Sequence, residues 1–140
     1  MQSKPLFSVV MPAHRLDKYL DHAIKSILAQ NFNNFELLVI ANGRQRKNIV
    51  EHIQNNYLDE IIAVEVEITG ASFSRNIGIE KSRGEYIVLM DSDDVSKLDR
   101  LSRLDDEIKK NPEVDVLGTG YQKIDSNGIL LGQPIAFNYD

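Results

Sequence analysis

Three carboxylates fall within four positions in Asp91-Ser92-Asp93-Asp94, directly after the apolar run Tyr86-Ile87-Val88-Leu89-Met90. Acids this close repel one another, so ionising all of them is costly unless a metal or a positive ligand is present. The apolar run, opened by Gly84, reads as a buried strand. Side chains two apart in an extended chain point to the same side, so Asp91 and Asp93 can grip one cation together. In open α/β sheets, ligands bind beyond the carboxyl ends of the strands, where these acids would fall. The pattern therefore predicts a metal-and-phosphate site. A second reading stays open, in which the acids start the following helix, because Asp caps helices and suits their positive N-terminus.

The surrounding elements must supply a sheet. Leu6–Met11 is a β-branched, apolar strand that Pro12 is expected to end, leaving Pro12-Ala13-His14-Arg15 as a loop. Leu16, Tyr19, Leu20, Ala23, Ile24, Ile27 and Leu28 recur at helical spacing, predicting a helix over 17–30. Phe35–Ile40 is a second strand, followed by the turn Ala41-Asn42-Gly43-Arg44. A shorter helix around Ile49–Tyr57 and an alternating edge strand over 61–68 come next. A weak helix over 71–83, closed by Gly84 as its cap, leads into the strand at 86–90, expected at the centre of the sheet. A helix over 97–110, a fifth strand over 114–124 and a hairpin turn at Asp125-Ser126-Asn127-Gly128 complete the chain. Strands alternating with helices predict an α/β fold, a mainly parallel Rossmann-like sheet with helices on both faces and a C-terminal hairpin.

Length and composition bound the function. At 140 residues the chain is expected to be one domain with its own core. It has no Cys, which excludes disulfides, thiolate catalysis and cysteine zinc sites and fits a reducing compartment such as the cytoplasm. Its apolar runs fall far short of the roughly 20 residues that cross a bilayer, and Met1–Pro5 lacks a signal peptide's apolar core. A soluble chain is expected. A formal charge of -5 argues against a nucleic-acid partner. An EF-hand is excluded because, counted from Asp91, the sixth position is Ser96 and the twelfth Ser102. No Walker loop occurs. An aspartyl phosphatase would carry its Asp-x-Asp after the first strand, not after the fourth.

Several stretches then line up in order. They are Phe7-Ser8-Val9-Val10-Met11-Pro12-Ala13, Ser26-Ile27-Leu28-Ala29-Gln30, Glu36-Leu37-Leu38-Val39-Ile40, Ser74-Arg75-Asn76-Ile77-Gly78-Ile79, and Arg83-Gly84-Glu85-Tyr86-Ile87 running into Asp91-Ser92-Asp93-Asp94. Together they resemble the nucleotide-sugar-binding half of glycosyltransferase family 2, inverting enzymes of the GT-A fold. The resemblance implies that Asp91 meets the donor ribose and the metal shell and that Asp93 coordinates a divalent ion, Mn2+ or Mg2+, bridging the diphosphate. Such ions prefer hard oxygen ligands and are held by one or two carboxylates plus substrate phosphates. By the same resemblance, Pro12, Ala13 and His14 form the first donor loop, with His14 against the base. Arg75 lies near the nucleotide, and Asn76 and Gly78 shape its helix.

The resemblance further implies a UDP-sugar donor and a glycan or lipid-linked acceptor, in the synthesis of cell-surface polysaccharide or lipopolysaccharide. It also implies work in the cytoplasm at the inner face of the membrane, with peripheral membrane association of a longer enzyme. This chain would be its donor half, 1–140, lacking the acceptor half and the general base. Two departures stand out. Where the family has a pair of acids, the second accepting from the uracil N–H, this chain has Ala41-Asn42, and Arg44 adds a positive charge. Asn42 keeps an acceptor oxygen and adds a donor NH2. The chain is also shorter than the family's catalytic domain. A nucleotidyltransferase and a non-catalytic partner domain are the alternatives, although the loop after the first strand lacks the glycines expected of the former.

Overall fold

The structure of the chain, a computed structural model, describes residues 3–136. The chain divides into two compact units, Met1–Arg103 and Leu104–Asp140. The first contains β1 (Phe7–Ala13), α1 (Lys18–Leu28), β2 (Phe35–Ala41), α2 (Arg46–Tyr57), a 3-10 turn (Leu58–Glu60), β3 (Ile62–Glu65), α3 (Ala71–Lys81) and β4 (Tyr86–Leu89). Helix α4 (Arg100–Lys110) begins in the first unit and runs into the second, which carries β5 (Tyr121–Ile124) and β6 (Leu130–Ile135).

The four strands of the first unit form an all-parallel sheet in the order β3-β2-β1-β4. Alternate residues of β1 and β2 face opposite sides, and both sides are covered, so the strands read as continuous apolar runs. Val10, Leu38 and Ile40 lie under Ile77 of α3. Val9, Met11, Leu37 and Val39, of the other parity, are fully buried as well. Asp17 caps α1 by accepting from the N–H groups of Tyr19 at 2.9 Å and Leu20 at 3.2 Å. Asp21 of α1 accepts from the Tyr57 hydroxyl and meets His52 Nε2 at 2.9 Å, joining α1 to α2. Burial alone would raise the Asp21 carboxyl, but the hydrogen bonds from His52 and Tyr57 outweigh it and hold the group below the usual range.

Four expectations need correction. The strand at 86–90 is not central: β1 is, and β4 lies at the edge. Val88 and Met90 of its apolar run are buried, while Ile87 and Leu89, on its other face, are 37% and 48% exposed. An apolar run alone does not say how many neighbours a strand has. Pro12 does not end β1, which continues through Ala13. In a parallel strand, residues of one parity direct their polar groups to one neighbour. Leu6 and Val10 accept from β4, from Tyr86 and Met90, so Pro12 faces the same way, where β4 has already ended at Leu89 and no ladder donor is needed.

Gly84 is not the cap of α3, which ends at Lys81 with Ser82 in the cap position. A Cβ on Gly84 would lie 2.5 Å from the Ser8 nitrogen and 2.6 Å from its hydroxyl, so glycine is required there by the close approach of β1. Finally, the strand expected over 114–124 is confined to Tyr121–Ile124. The hairpin turn is observed as read. Asp125 Oδ1 accepts from Asn127 N at 2.8 Å and Ile129 N at 2.9 Å, with Gly128 at φ 81°.

Candidate functional site

Three loops leave the carboxyl ends of β1, β2 and β4 and meet the N-terminus of α3 around one cleft of about 750 Å³. Pro12, His14, Asn42, Asp91 and Asp93, all named from the sequence, line it together. Two of the named residues do not. Ala13 is fully buried and contributes only its carbonyl, which accepts from Asn42 N at 2.8 Å and Asn42 Nδ2 at 3.3 Å. Arg75 is absent from the lining and directs Nη2 at Asp91 Oδ1, 2.7 Å away.

The loop after β2 is shaped by its own residues. Asn42 is only 5% exposed, and Gly43 at φ 76° makes the turn, where a Cβ would lie 3.5 Å from His14 Cβ. With one hydrogen of Nδ2 directed at Ala13, Asn42 has Oδ1, an acceptor, and the second amide hydrogen left for a ligand. Gln45, which the sequence did not single out, accepts from Leu16 N at 2.9 Å and so ties the first loop to the second. Arg46 pairs with Glu65 at 3.0 Å and donates to the Gly43 carbonyl, bracing the same turn from β3.

Across the cleft, Thr69, Gly70 and Ala71 bring the first turn of α3 to the site. No side chain caps this helix, and Gly70 stands at φ 127°. Its first N–H groups and its dipole favour an anion. Gly78 lets α3 lie close on the sheet: a Cβ there would come within 2.3 Å of Val10 Cγ1. That close packing holds Arg75, one turn earlier, beside Asp91.

The acids do not sit as the alternation argument supposed. Strand β4 ends at Leu89, so Asp91–Asp94 form a turn, closed by Asp94 N on the Asp91 carbonyl at 3.3 Å, and not an extension of the strand. Asp91 and Asp93 still line the same cleft because the turn folds them there. Lost hydration, then repulsion from Asp93 and Asp91, push the Asp94 carboxyl above its usual range, and Arg100 opposes this. Arg100 was not anticipated. It donates to the Leu89 carbonyl at 3.1 Å, to Met90 Sδ at 3.2 Å and to Ser96 Oγ at 3.1 Å, gripping both sides of the acidic turn from beneath. Burial lowers its pKa, against the pull of Asp94. Its sequence signal is faint, since one Arg at the start of a charged helix looks like solvated surface.

Among the described residues, no three His, Asp or Glu side chains converge as a closed metal cage. Two carboxylates lining a cleft instead match a cation of the Mg2+ or Mn2+ kind, which keeps waters and shares its shell with substrate phosphates. The donor set fits such an ion, with Asp91 and Asp93 as the residues that would hold it.

A parallel sheet with a cleft at its strand ends, lined by acids and by an uncapped helix N-terminus, is the architecture of an open α/β domain. The family model "Glycosyl transferase family 2" matches residues 8–133, and the chain belongs to that family. It is 38% identical over 125 residues to the O-antigen biosynthesis glycosyltransferase WbnJ of Escherichia coli, covering 88% of this chain and 49% of that protein. It is 39% identical over 103 residues to an uncharacterized glycosyltransferase of Haemophilus influenzae, covering 71% and 40%. Among solved structures, S. aureus TarS superposes with a TM-score of 0.65 at 26% identity, over 76% of this chain and 33% of that one. A mannosyltransferase from Pyrobaculum calidifontis, solved with GDP-Man and Mn2+, reaches a TM-score of 0.69 at 17% identity, over 86% and 36%, and shares the fold. The fold is thus the GT-A arrangement that the sequence resemblance implied. The chain spans about half the length, or less, of the curated relatives it matches.

Proposed function

We propose that this chain is the donor-binding half of an inverting glycosyltransferase, a single unit in function over 1–140, that holds a nucleoside-diphosphate sugar through a divalent cation. The observation that carries the reading is that Asn42 and His14, from the loops after β2 and β1, line one cleft together with Asp91 and Asp93, from the turn after β4. A base can lie against the first pair while the diphosphate reaches the second. The uncapped N-terminus of α3 offers N–H groups to phosphate oxygens. Bound there, Mn2+ or Mg2+ would neutralise charge on the leaving diphosphate.

In the reaction proposed, an acceptor hydroxyl oxygen attacks the anomeric carbon as its bond to the β-phosphate oxygen breaks. The nucleoside diphosphate leaves, the configuration inverts, and the hydroxyl proton passes to a base that we place outside this chain. The acceptor we propose is a glycan or lipid-linked sugar in cell-surface polysaccharide synthesis, at the cytoplasmic face of the membrane, in keeping with the O-antigen role in the name of the relative WbnJ. We propose peripheral membrane association of the longer enzyme; no helix among the described residues of this chain is long and apolar enough to cross a membrane.

We propose UDP as the nucleotide. Asn42 Oδ1 is an acceptor, and uracil has a ring N–H to donate, as do thymine and guanine but not cytosine. Titration calorimetry with UDP, GDP, TDP and CDP, each with Mn2+ and with EDTA, tests this. The expected result is Mn2+-dependent binding of UDP, tighter than that of CDP. Asn42→Asp should raise UDP affinity by about fivefold, since a charged acceptor makes the stronger bond. Metal-independent binding, or preference for CDP, would sink the reading.

A further inference from the structure

Asp91 has two claimants. The proposed donor site requires its carboxylate to face a cation, yet in the ligand-free chain Arg75 Nη2 already sits 2.7 Å from Asp91 Oδ1. The Asp91 side chain is 55% exposed and that of Arg75 33%, so the pair lies at the cleft's edge, open to exchange with solvent and ligand. The contact uses one donor of the guanidinium fork. Arg75 Nε is buried and has no hydrogen-bond partner among the described residues. A fork half engaged on a carboxylate is better satisfied by a phosphate, which offers several oxygens to adjacent donors.

We infer that Arg75 is a placeholder cation, holding Asp91 until a nucleoside diphosphate arrives and then exchanging the carboxylate for phosphate, so that cation and nucleotide bind as a coupled pair. The inference rests on the donor-site reading and adds a regulation to it. A divalent ion approaching alone meets a guanidinium already on one of its two carboxylates and is repelled by that charge. A diphosphate reverses this. It brings negative charge to the site, draws Arg75 towards its own oxygens and frees Asp91. The coupling is reciprocal, so the ion must raise nucleotide affinity by the factor by which nucleotide raises the ion's. The consequence is a site that stays closed to free metal and is assembled by the complete donor.

The test is titration of Mn2+ alone, followed by the electron paramagnetic resonance of the free ion, into the 140-residue chain and its variants. Removing the placeholder with Arg75→Met or Arg75→Gln should tighten binding of Mn2+ alone by about fivefold, the upper range for a partly exposed ion pair. The same variants should bind UDP with Mn2+ more weakly than wild type, because the phosphate loses its fork. This opposite pair of effects is what a merely structural role of Arg75 would not produce. In an Asp91→Asn background, Arg75→Met should raise Mn2+ affinity by less, because only the repulsion between the two cations is then removed. Two results would overturn the inference: Mn2+ affinity in both Arg75 variants no higher than in wild type, or an equal gain when Asp91 is already replaced. Failure of wild type to bind any nucleotide with Mn2+ would overturn the donor-site reading instead, while the nucleotide-free comparison still decides the role of Arg75.

Discussion

At the amino end of the parallel sheet, Glu36 of β2 is 7% exposed at its side chain and fully engaged. It accepts from Ser8 Oγ at 2.6 Å, from Arg83 N at 2.7 Å and from Arg83 Nε at 2.9 Å, and Gly84 N completes the knot by donating to Ser8 Oγ at 2.8 Å. At the carboxyl end, Asp91, Asp93 and Asp94 crowd one turn with Arg75 on one oxygen of the first and Arg100 beneath. The same chemical group is a fastener at one end and an unbalanced charge at the other. Burial would raise the Glu36 carboxyl, yet its hydrogen bonds and Arg83 outweigh that and hold it low. Asp94 is held high. The difference separates carboxylates that fasten the fold from carboxylates whose mutual repulsion Arg75 and Arg100 offset only in part.

Breaking the fastener should have the larger effect. Glu36→Ala leaves Ser8 Oγ, the Arg83 backbone N–H and the Arg83 guanidinium without their acceptor, and should cost about 3 kcal/mol of stability, read by denaturant unfolding at neutral pH. The pH dependence follows from the sign of the shift. A carboxyl held low in the folded state contributes stability that is present above the ordinary glutamate range and lost as pH falls through its folded value. Wild type and Glu36→Ala should therefore converge in acid. A constant difference down to pH 2 would remove ionised Glu36 from the account. At the other end, Asp93→Ala should leave unfolding within about 0.5 kcal/mol of wild type while abolishing Mn2+-dependent nucleotide binding. Unchanged nucleotide affinity in this variant would strip Asp93 of its proposed role.

Much of this contrast was legible in the sequence, though unevenly. The acids at 91–94 and the strand before them are local features, and the order of motifs from Phe7 to Asp94 sufficed for the family and the fold. Contacts between distant residues were not legible. Nothing in the type of Glu36 tells that Arg83, 47 positions away, will close on it, and Arg100 on the Leu89 carbonyl is similarly hidden. The strand at 86–90 was misplaced at the sheet's centre because apolar content reports burial and not strand order. Pro12 was misread because its missing donor matters only on the side where a neighbour exists, and β4 stops short of it.

The smallest predicted effect probes the acids directly. Asp94→Asn removes one of three neighbouring charges without removing either carboxylate assigned to the cation. With nothing bound, relief of repulsion should raise stability by less than about 1 kcal/mol at neutral pH, because the turn is open to water. The gain should shrink in 1 M salt, where screening acts over only about 3 Å. With Mn2+ and nucleotide present, the sign should reverse. A positive ligand makes each nearby negative charge an asset, so wild type should then gain more in melting temperature than Asp94→Asn. A variant more stable than wild type in both states would mean that the acidic turn carries unfavourable charge that no cation offsets, and the functional contrast between the two ends of the sheet would collapse into a difference of packing.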